Sequence, residues 1–316
     1  MMQRYENIDI ARGIAMLVII SWHILGVHSG WTDGWVMPLW FIIMGIFYRK
    51  ESDFHTMLCR KVNSILLPAL IWSIPAMFIS ICNHGTVQTA ITIVHPYKTL
   101  HGVTWFFWCA MWVYVINYCI WKIAKDHRLL FAFCSLVISL VGYGMPFITY
   151  NGHRLVLPLY LNGAMVAQVF VCVGYLLSNY IKQASLQKFI KFSILSILGG
   201  KICKPEIADF NWANFDLWPI LVFHGIIGSL AVIFACALCP KKISPSLAIV
   251  GRYSLLMLLI HPYIQQVLKL FGMPAVFNYI IVVIITILIA CAVVQCCPLL
   301  AGMKPIIKSL IPLRIQ

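Results

Sequence analysis

Asp9, Arg12 and His23 lie on or inside the ends of one apolar stretch near the start of the chain, DIARGIAMLVIISWHILGVHSG, which runs from Asp9 to Gly30. Arg12 and His23 are eleven residues apart. At about 100° per residue, eleven steps return to within roughly 20° of the starting face and rise about 16 Å. A single helix through this stretch therefore carries a guanidinium and an imidazole on one face, three turns apart. Asp9 precedes Arg12 by three residues, close to the same face and within reach of an ion pair. His28 projects about 140° away from His23 on such a helix. Two readings fit this pattern. In one, Arg12 is a flanking charge that snorkels to a membrane surface and His23 is a packed side chain. In the other, the face is a site, because ionisable groups inside an apolar span are costly and mark function. A histidine there is a base whose proton affinity suits neutral pH. A guanidinium three turns away binds phosphate or carboxylate.

The elements that position these residues follow from composition. The 316 residues are 62% hydrophobic and 10% charged, against about 25% charged in soluble domains. Repeated apolar runs near the length of a bilayer crossing predict an all-α, polytopic helical membrane bundle. The alternating segments of about ten residues that a membrane β-barrel needs are absent. Spans are predicted near 10–29, 35–48, 62–82, 103–121, 128–146, 157–180, 189–199, 217–239, 247–268 and 276–299, about ten in all. No polar stretch is long enough to fold separately, so residues 1–316 read as a single transmembrane domain with no appended soluble domain.

The net charge of +14 does not point to nucleic acid, because the basic residues collect at alternate span ends and not in one patch. One set of loops holds 17 Lys and Arg, the other five. By the positive-inside rule both termini are cytoplasmic, Arg12 sits at the cytoplasmic end of the first helix, and His23 lies towards the far half. The first stretch lacks a basic leader and a cleavage motif and reads as a retained span. The twelve cysteines lie mostly in apolar runs as small hydrophobes. Cys236-x2-Cys239 has no second pair, and the spacings of His84, His95 and His101 fit no compact ligand set, so no metal and no bound cofactor is predicted.

Arg12, ten residues and then His23 resembles the R-x10-H signature of the acyltransferase family 3 membrane proteins, and more narrowly the fucose 4-O-acetylase-like sugar O-acetyltransferase branch. The likeness continues in order. Met37–Lys50, MPLWFIIMGIFYRK, is similar to the family's second span, with Met44 where serine is common and Gly45 placed for close helix approach. Residues 58–72, LCRKVNSILLPALIW, resemble its basic third-span start, although Asn63 and Ser64 replace a second arginine. Trp105-Phe106-Phe107 is similar to its WFL segment. The GYLL of the sixth span and VGRYSLLMLLIHPY over 250–263 resemble later segments.

The resemblance implies transfer of an acyl group, most often acetyl from cytoplasmic acetyl-CoA, to a hydroxyl of a cell-surface or lipid-linked sugar. It implies a multi-pass protein of the plasma (inner) membrane whose partners are an acyl-CoA, a glycan acceptor and the bilayer, without nucleic acid. The thioester is already activated, so what the hydroxyl needs is a base, and His23 is the candidate. Arg12, oriented by Asp9, is the candidate for the donor's phosphates, joined by Arg60, Lys61 and Trp105. Arg60 and Lys61 fit a topology signal as well, and Trp105 an interfacial anchor. On the acceptor side, Asn162 is polar within the sixth span. Asn211 and Asn214 lie in the sugar-like loop ADFNWANFD, and His261 lies near the outer end of the ninth span, where it lines the acceptor or caps the span. A transporter or flippase of a lipid-linked glycan or small anionic solute would also use an Arg12/His23 site. It would, however, be expected to show paired broken helices in two repeated halves, and none are visible.

The charge asymmetry predicts that loops 49–61, 122–128, 181–191 and 240–252 are cytoplasmic. Single cysteines placed there in an otherwise cysteine-free chain should resist an impermeant thiol reagent in intact cells. Ready labelling of two or more would break the ten-span arrangement.

Overall fold

The computed structural model describes residues 5–51, 53–94, 103–150, 153–202, 208–209, 214–215 and 217–302. The chain is nearly all helix. In order come α1 (Glu6–Leu25), α2 (Gly30–Ile46), α3 (Phe54–Lys61), a π-helical turn Val62–Leu66, α4 (Leu67–Val94), α5 (Thr104–Ala124) and α6 (Arg128–Gly144). There follow α7 (Leu161–Leu176), the short α8 (Ser178–Lys182), α9 (Leu186–Ile202), α10 (Trp218–Cys236), α11 (Ser244–Lys269) and α12 (Ala275–Cys296). Two antiparallel two-residue hairpins complete the elements: β1 (Thr149–Tyr150) with β2 (His153–Arg154), and β3 (Ala208–Asp209) with β4 (Asn214–Phe215). Among the described residues, eight helices are long and apolar enough to cross a membrane. The two shorter helices, α2 and α9, fall on the two short spans expected from the sequence. The protein is a polytopic helical membrane protein.

Local chemistry sets the helix ends. α1 stops at Leu25 because Gly26 adopts the left-handed conformation (φ 64°, ψ 19°), which closes a helix at no steric cost to glycine. The expected single helix from Asp9 to Gly30 is therefore corrected. His28 lies in the linker, stacked on Trp22 at 5.5 Å with Nδ1 3.5 Å from Asp33, and is not on α1. α2 begins with a capping box: Ser29 Oγ accepts from the Thr32 N–H at 3.1 Å, and Thr32 Oγ1 accepts from the Ser29 N–H at 3.3 Å. α3 is capped by Asp53, whose carboxylate accepts from the Thr56 N–H and hydroxyl at 2.7 and 2.8 Å. Those bonds hold the carboxyl below the usual carboxylate range. α4 runs on past residue 82, where the sequence suggested a loop, and bends at Gly85 (φ 81°, ψ 169°). His84 is exposed there, while His95 and His101 lie outside the described residues.

The chain forms two compact units. The first comprises Met1–Tyr48, Ala167–Phe210 and Asn214–Ile287. Within it, α1 packs along α11, and α10 packs on α2 and on α9. Glycines make the closest contacts. A Cβ on Gly13 would lie 2.3 Å from the Leu247 carbonyl oxygen, and one on Gly251 would lie 1.7 Å from that of Asp9. Gly45 and Gly174 mark a second backbone-to-backbone crossing, with added Cβ atoms 2.1 Å from Val171 O and 2.0 Å from Ile42 O. In apolar surroundings helices associate by packing and not by burial from water, so small residues at crossings decide which pairs form. α1 and α11 run parallel: Asp9 meets Gly251, Arg12 meets Ser254 and His23 meets His261. The expected ten-span alternation, in which these are the first and ninth spans, requires this direction.

The second unit comprises Arg49–Val166, Asn211–Ala213 and Leu288–Gln316. α5 packs on α6, and Gly142 of α6 lies against Met165 and Asn162. Trp72 Nε1 donates to the Leu300 carbonyl at 3.1 Å. Gly302, with φ 68°, sits against the Ser64 carbonyl at the π-helical turn.

Gly251→Val should lower the melting midpoint of the purified protein in detergent, at an overpacking cost of about 1–3 kcal/mol or more. Gly200→Ala, where an added Cβ meets nothing within 4 Å, should leave it unchanged or slightly raised. Equal midpoints for the two variants would mean that the α1–α11 crossing does not hold the first unit.

Candidate functional site

α1 turns Asp9, Arg12, Met16, Ile20 and His23 along one face by its 3.6-residue period. α11 presents Gly251, Ser254, Leu258, His261 and Gln265 along its own face by the same period. The two glycines at the Asp9 end of the seam, Gly13 and Gly251, bring the backbones close enough for short polar side chains to meet across it. At that end, Arg12 Nη2 donates to Ser254 Oγ at 3.2 Å, and Ser254 Oγ donates back along its own helix to the Gly251 carbonyl at 2.7 Å. Arg12 Nη1 lies 3.8 Å from Asp9 Oδ1, and Arg252 Nε lies 3.7 Å from Asp9 Oδ2. One carboxylate between two guanidiniums leaves this trio with a surplus positive charge. The distances are those of charge pairing and exceed good hydrogen bonds. The Arg12 guanidinium also sits 5.5 Å from the centroid of the Trp40 ring, a cation–π contact. Just beyond, Ser244 Oγ donates to Glu6 Oε1.

Three turns along, His23 Nδ1 and His261 Nε2 are 2.7 Å apart. The ring planes are within 6° of parallel and the centroids are 5.0 Å apart. The excess of centroid distance over N···N distance is taken up by the two ring radii, so the rings lie edge to edge in one plane. The hydrogen bond thus lies along a lone-pair direction. His261 is fully buried and its Nδ1 lies 3.0 Å from the Met257 carbonyl oxygen. Gln265 Nε2 donates to the His23 carbonyl at 2.6 Å, satisfying a backbone acceptor in the last turn of α1. Tyr279 Oη of α12 donates to the Leu17 carbonyl at 3.3 Å, closer to the middle of the helix. His23 is exposed as a residue and His261 is fully buried, so a reactant can reach His23 but not His261.

The first unit therefore brings together Asp9, Arg12, His23 and His261. The sequence left His261 either lining the acceptor side or capping the ninth span. The structure places it in the interior of α11, hydrogen-bonded to the candidate base. Arg252, Ser254 and Gln265 were not singled out from the sequence. Their signal was present in VGRYSLLMLLIHPYIQQ: Ser254 and His261 are seven residues apart, which is the same-face spacing of a helix.

The remaining candidates belong to the second unit. Arg60 is ion-paired with Glu51, and Lys61 Nζ lies 3.7 Å from the centroid of Tyr114. The Trp105 ring packs against Phe106 at 6.0 Å and Tyr160 at 6.4 Å. Tyr160 and the preceding Leu159 are both in the left-handed backbone region, at φ 60° and 53°, a strained turn for side-chain-bearing residues. Asn162 sits just after that turn. Its Oδ1 accepts from the Leu157 N–H at 2.6 Å, and its amide nitrogen is 3.5 Å from the Gly142 carbonyl, so its polar atoms face backbone. Asn214 pairs with Asp209 in the β3–β4 hairpin, and Asn211 lies outside the described residues.

A family model described as an acyltransferase domain matches residues 5–295, which is nearly the whole chain and includes both helices of the seam. No curated protein matches the chain. No solved structure matches it. With a match of that extent, the chain belongs to acyltransferase family 3 and is a multi-pass membrane acyltransferase.

Proposed function

We propose that the protein is an O-acyltransferase that moves an acyl group, acetyl from cytoplasmic acetyl-CoA, to a hydroxyl of a cell-surface or lipid-linked sugar at the plasma membrane, as in the fucose 4-O-acetylase-like branch. The observation that carries this reading is the single polar face shared by α1 and α11. It has a surplus cation at one end and the imidazole of an exposed histidine about 16 Å further along the helix. The cation suits the phosphates of a nucleotide-linked donor, and the distance suits the donor's extended pantetheine arm. The imidazole suits the proton of an attacking hydroxyl.

The step is a direct transfer. The acceptor oxygen attacks the thioester carbonyl carbon while His23 Nε2 takes the hydroxyl proton. The carbon–sulfur bond then breaks, the leaving thiolate takes that proton, and an oxygen ester and free thiol result. Base assistance of this kind is worth about 10²–10⁴-fold. The donor's charge would be met by Arg12 and Arg252 together, with Asp9 between them holding the two guanidiniums in register. Arg60, Lys61 and Trp105 are further donor contacts in this reading, and Asn162, Asn211 and Asn214 further acceptor contacts.

Labelled acetyl-CoA supplied to membranes should mark a lipid-linked or polymeric glycan, counted per mole of inserted protein. Arg12→Ala should raise the KM for the donor, about tenfold or more, with kcat less affected, and Arg12→Lys should restore part of it because an ammonium lacks the planar fork. Unchanged donor kinetics in Arg12→Ala would return this residue to a topological role. His23→Ala and His23→Gln should each lose about a hundredfold or more of kcat while the protein still inserts. His28→Ala, in the linker beyond the end of α1, should be far milder. Turnover above about a tenth of wild type in His23→Gln would exclude His23 as the base.

A further inference from the structure

A general base must present a lone pair to its substrate, and an imidazole has two nitrogens of which only one carries that lone pair when neutral. Which one is fixed by the partner of the other. The seam supplies such a partner, and the chain of donors and acceptors has one consistent assignment. The Met257 carbonyl oxygen can only accept, so the His261 Nδ1 at 3.0 Å from it carries the hydrogen. Neutral His261 then has its lone pair on Nε2. That lone pair faces His23 Nδ1 at 2.7 Å, in the plane of both rings, so His23 Nδ1 carries the hydrogen and donates. The remaining nitrogen, His23 Nε2, is left with the lone pair, on a residue that is itself exposed.

We infer that His261 is a positioning residue which, anchored by the Met257 carbonyl, locks His23 into the tautomer whose Nε2 is the base. This rests on the reading of His23 as the general base. An isolated neutral imidazole in water favours the opposite tautomer, with hydrogen on Nε2, in which that nitrogen could not accept a proton. His261 reverses that preference. Its full burial keeps it from exchanging this bond for water, and its place on α11 makes the lock depend on the helix that also holds Arg12 through Ser254. As the proton arrives on His23 Nε2, the Nδ1–H bond to His261 becomes charge-assisted and shortens in strength terms without any rearrangement. The part assigned to His261 is to accept that bond through Nε2, with its own Nδ1–H held by the Met257 carbonyl.

The substitutions separate the two ends of His261. His261→Gln places a carboxamide oxygen where Nε2 stood and can still accept from His23. His261→Asn reaches only the Met257 carbonyl and cannot. His261→Leu removes both. Direct evidence comes from nitrogen-15 NMR of the full chain labelled at histidine nitrogens, with the His23 signals identified by their loss in His23→Gln. In wild type, His23 should show a protonated Nδ1 and an unprotonated Nε2. In His261→Leu and His261→Asn the pattern should revert to a protonated Nε2. Those two variants should lose about a hundredfold of kcat with KM for both substrates within about threefold, while His261→Gln should stay within about tenfold of wild type. A wild-type His23 protonated at Nε2 overturns the inference even if every variant fails to fold. So does a His261→Leu enzyme with wild-type kcat, in which case an inactive His23→Gln leaves the general-base reading standing. An active His23→Gln removes that reading itself, and the inference with it.

Discussion

The α1–α11 seam depends on one constraint: a polar side chain on a membrane-spanning helix has no water to turn to and must be met by another helix. α1 carries three such side chains along one face, and α11 meets each of them. The polar bonds do not themselves hold the helices together. Hydrogen bonds between membrane helices average about 0.6 kcal/mol and rarely exceed about 1.7. Holding force comes from the close fit at Gly13 and Gly251, where side chains of any size would push the backbones apart. Packing sets the distance, and the distance then makes the polar contacts possible. Gly251, ten residues before His261 on α11, thereby helps set the reach of His23 to His261.

The two ends of the seam differ in what they can do. At the Arg12 end, charges are paired loosely, at 3.7–3.8 Å, and Arg252 remains exposed. Such long contacts, with the outer partner Arg252 exposed, leave room for exchange of partners. At the His23 end the contacts are short, in plane and buried on one side. Loose pairing suits capture of a charged ligand, and tight pairing suits holding a reactive group in a single geometry.

Much of this was legible in the sequence, because the relevant signals are local. Apolar length gave the polytopic helical bundle, of which eight membrane-length helices stand among the described residues, and the spacing of Arg12 and His23 gave the polar face of α1. The errors also have local causes. The first helix stops at Gly26 because a glycine took the left-handed conformation, a choice that composition allows but does not dictate. α4 continues through 86–94 because a run such as TVQTAITIV is apolar enough for a helix after the Gly85 bend. What could not be read was the partner of α1. His23 and His261 are 238 positions apart, and nothing near either of them names the other. The polar face of α11 was visible as a spacing, yet pairing two faces requires knowing which helices touch. Asn162 shows the same gap: polarity within a span signals a partner, and the partner in this case is the backbone around Leu157 and Gly142.

That sequence separation has a consequence for how the protein is made. α1 is synthesised and inserted first, and α11 only after most of the chain has followed. At translation rates of about 5–20 residues per second, α1 waits some tens of seconds for the helix that completes it. During that interval Arg12 and His23 face whatever is at hand: lipid headgroups, trapped water, or the neighbouring α2, whose Trp40 stays in contact with Arg12 in the finished protein. The paired seam therefore arrives late in biogenesis, when α11 docks. A chain released early would be inserted, helical and without the seam.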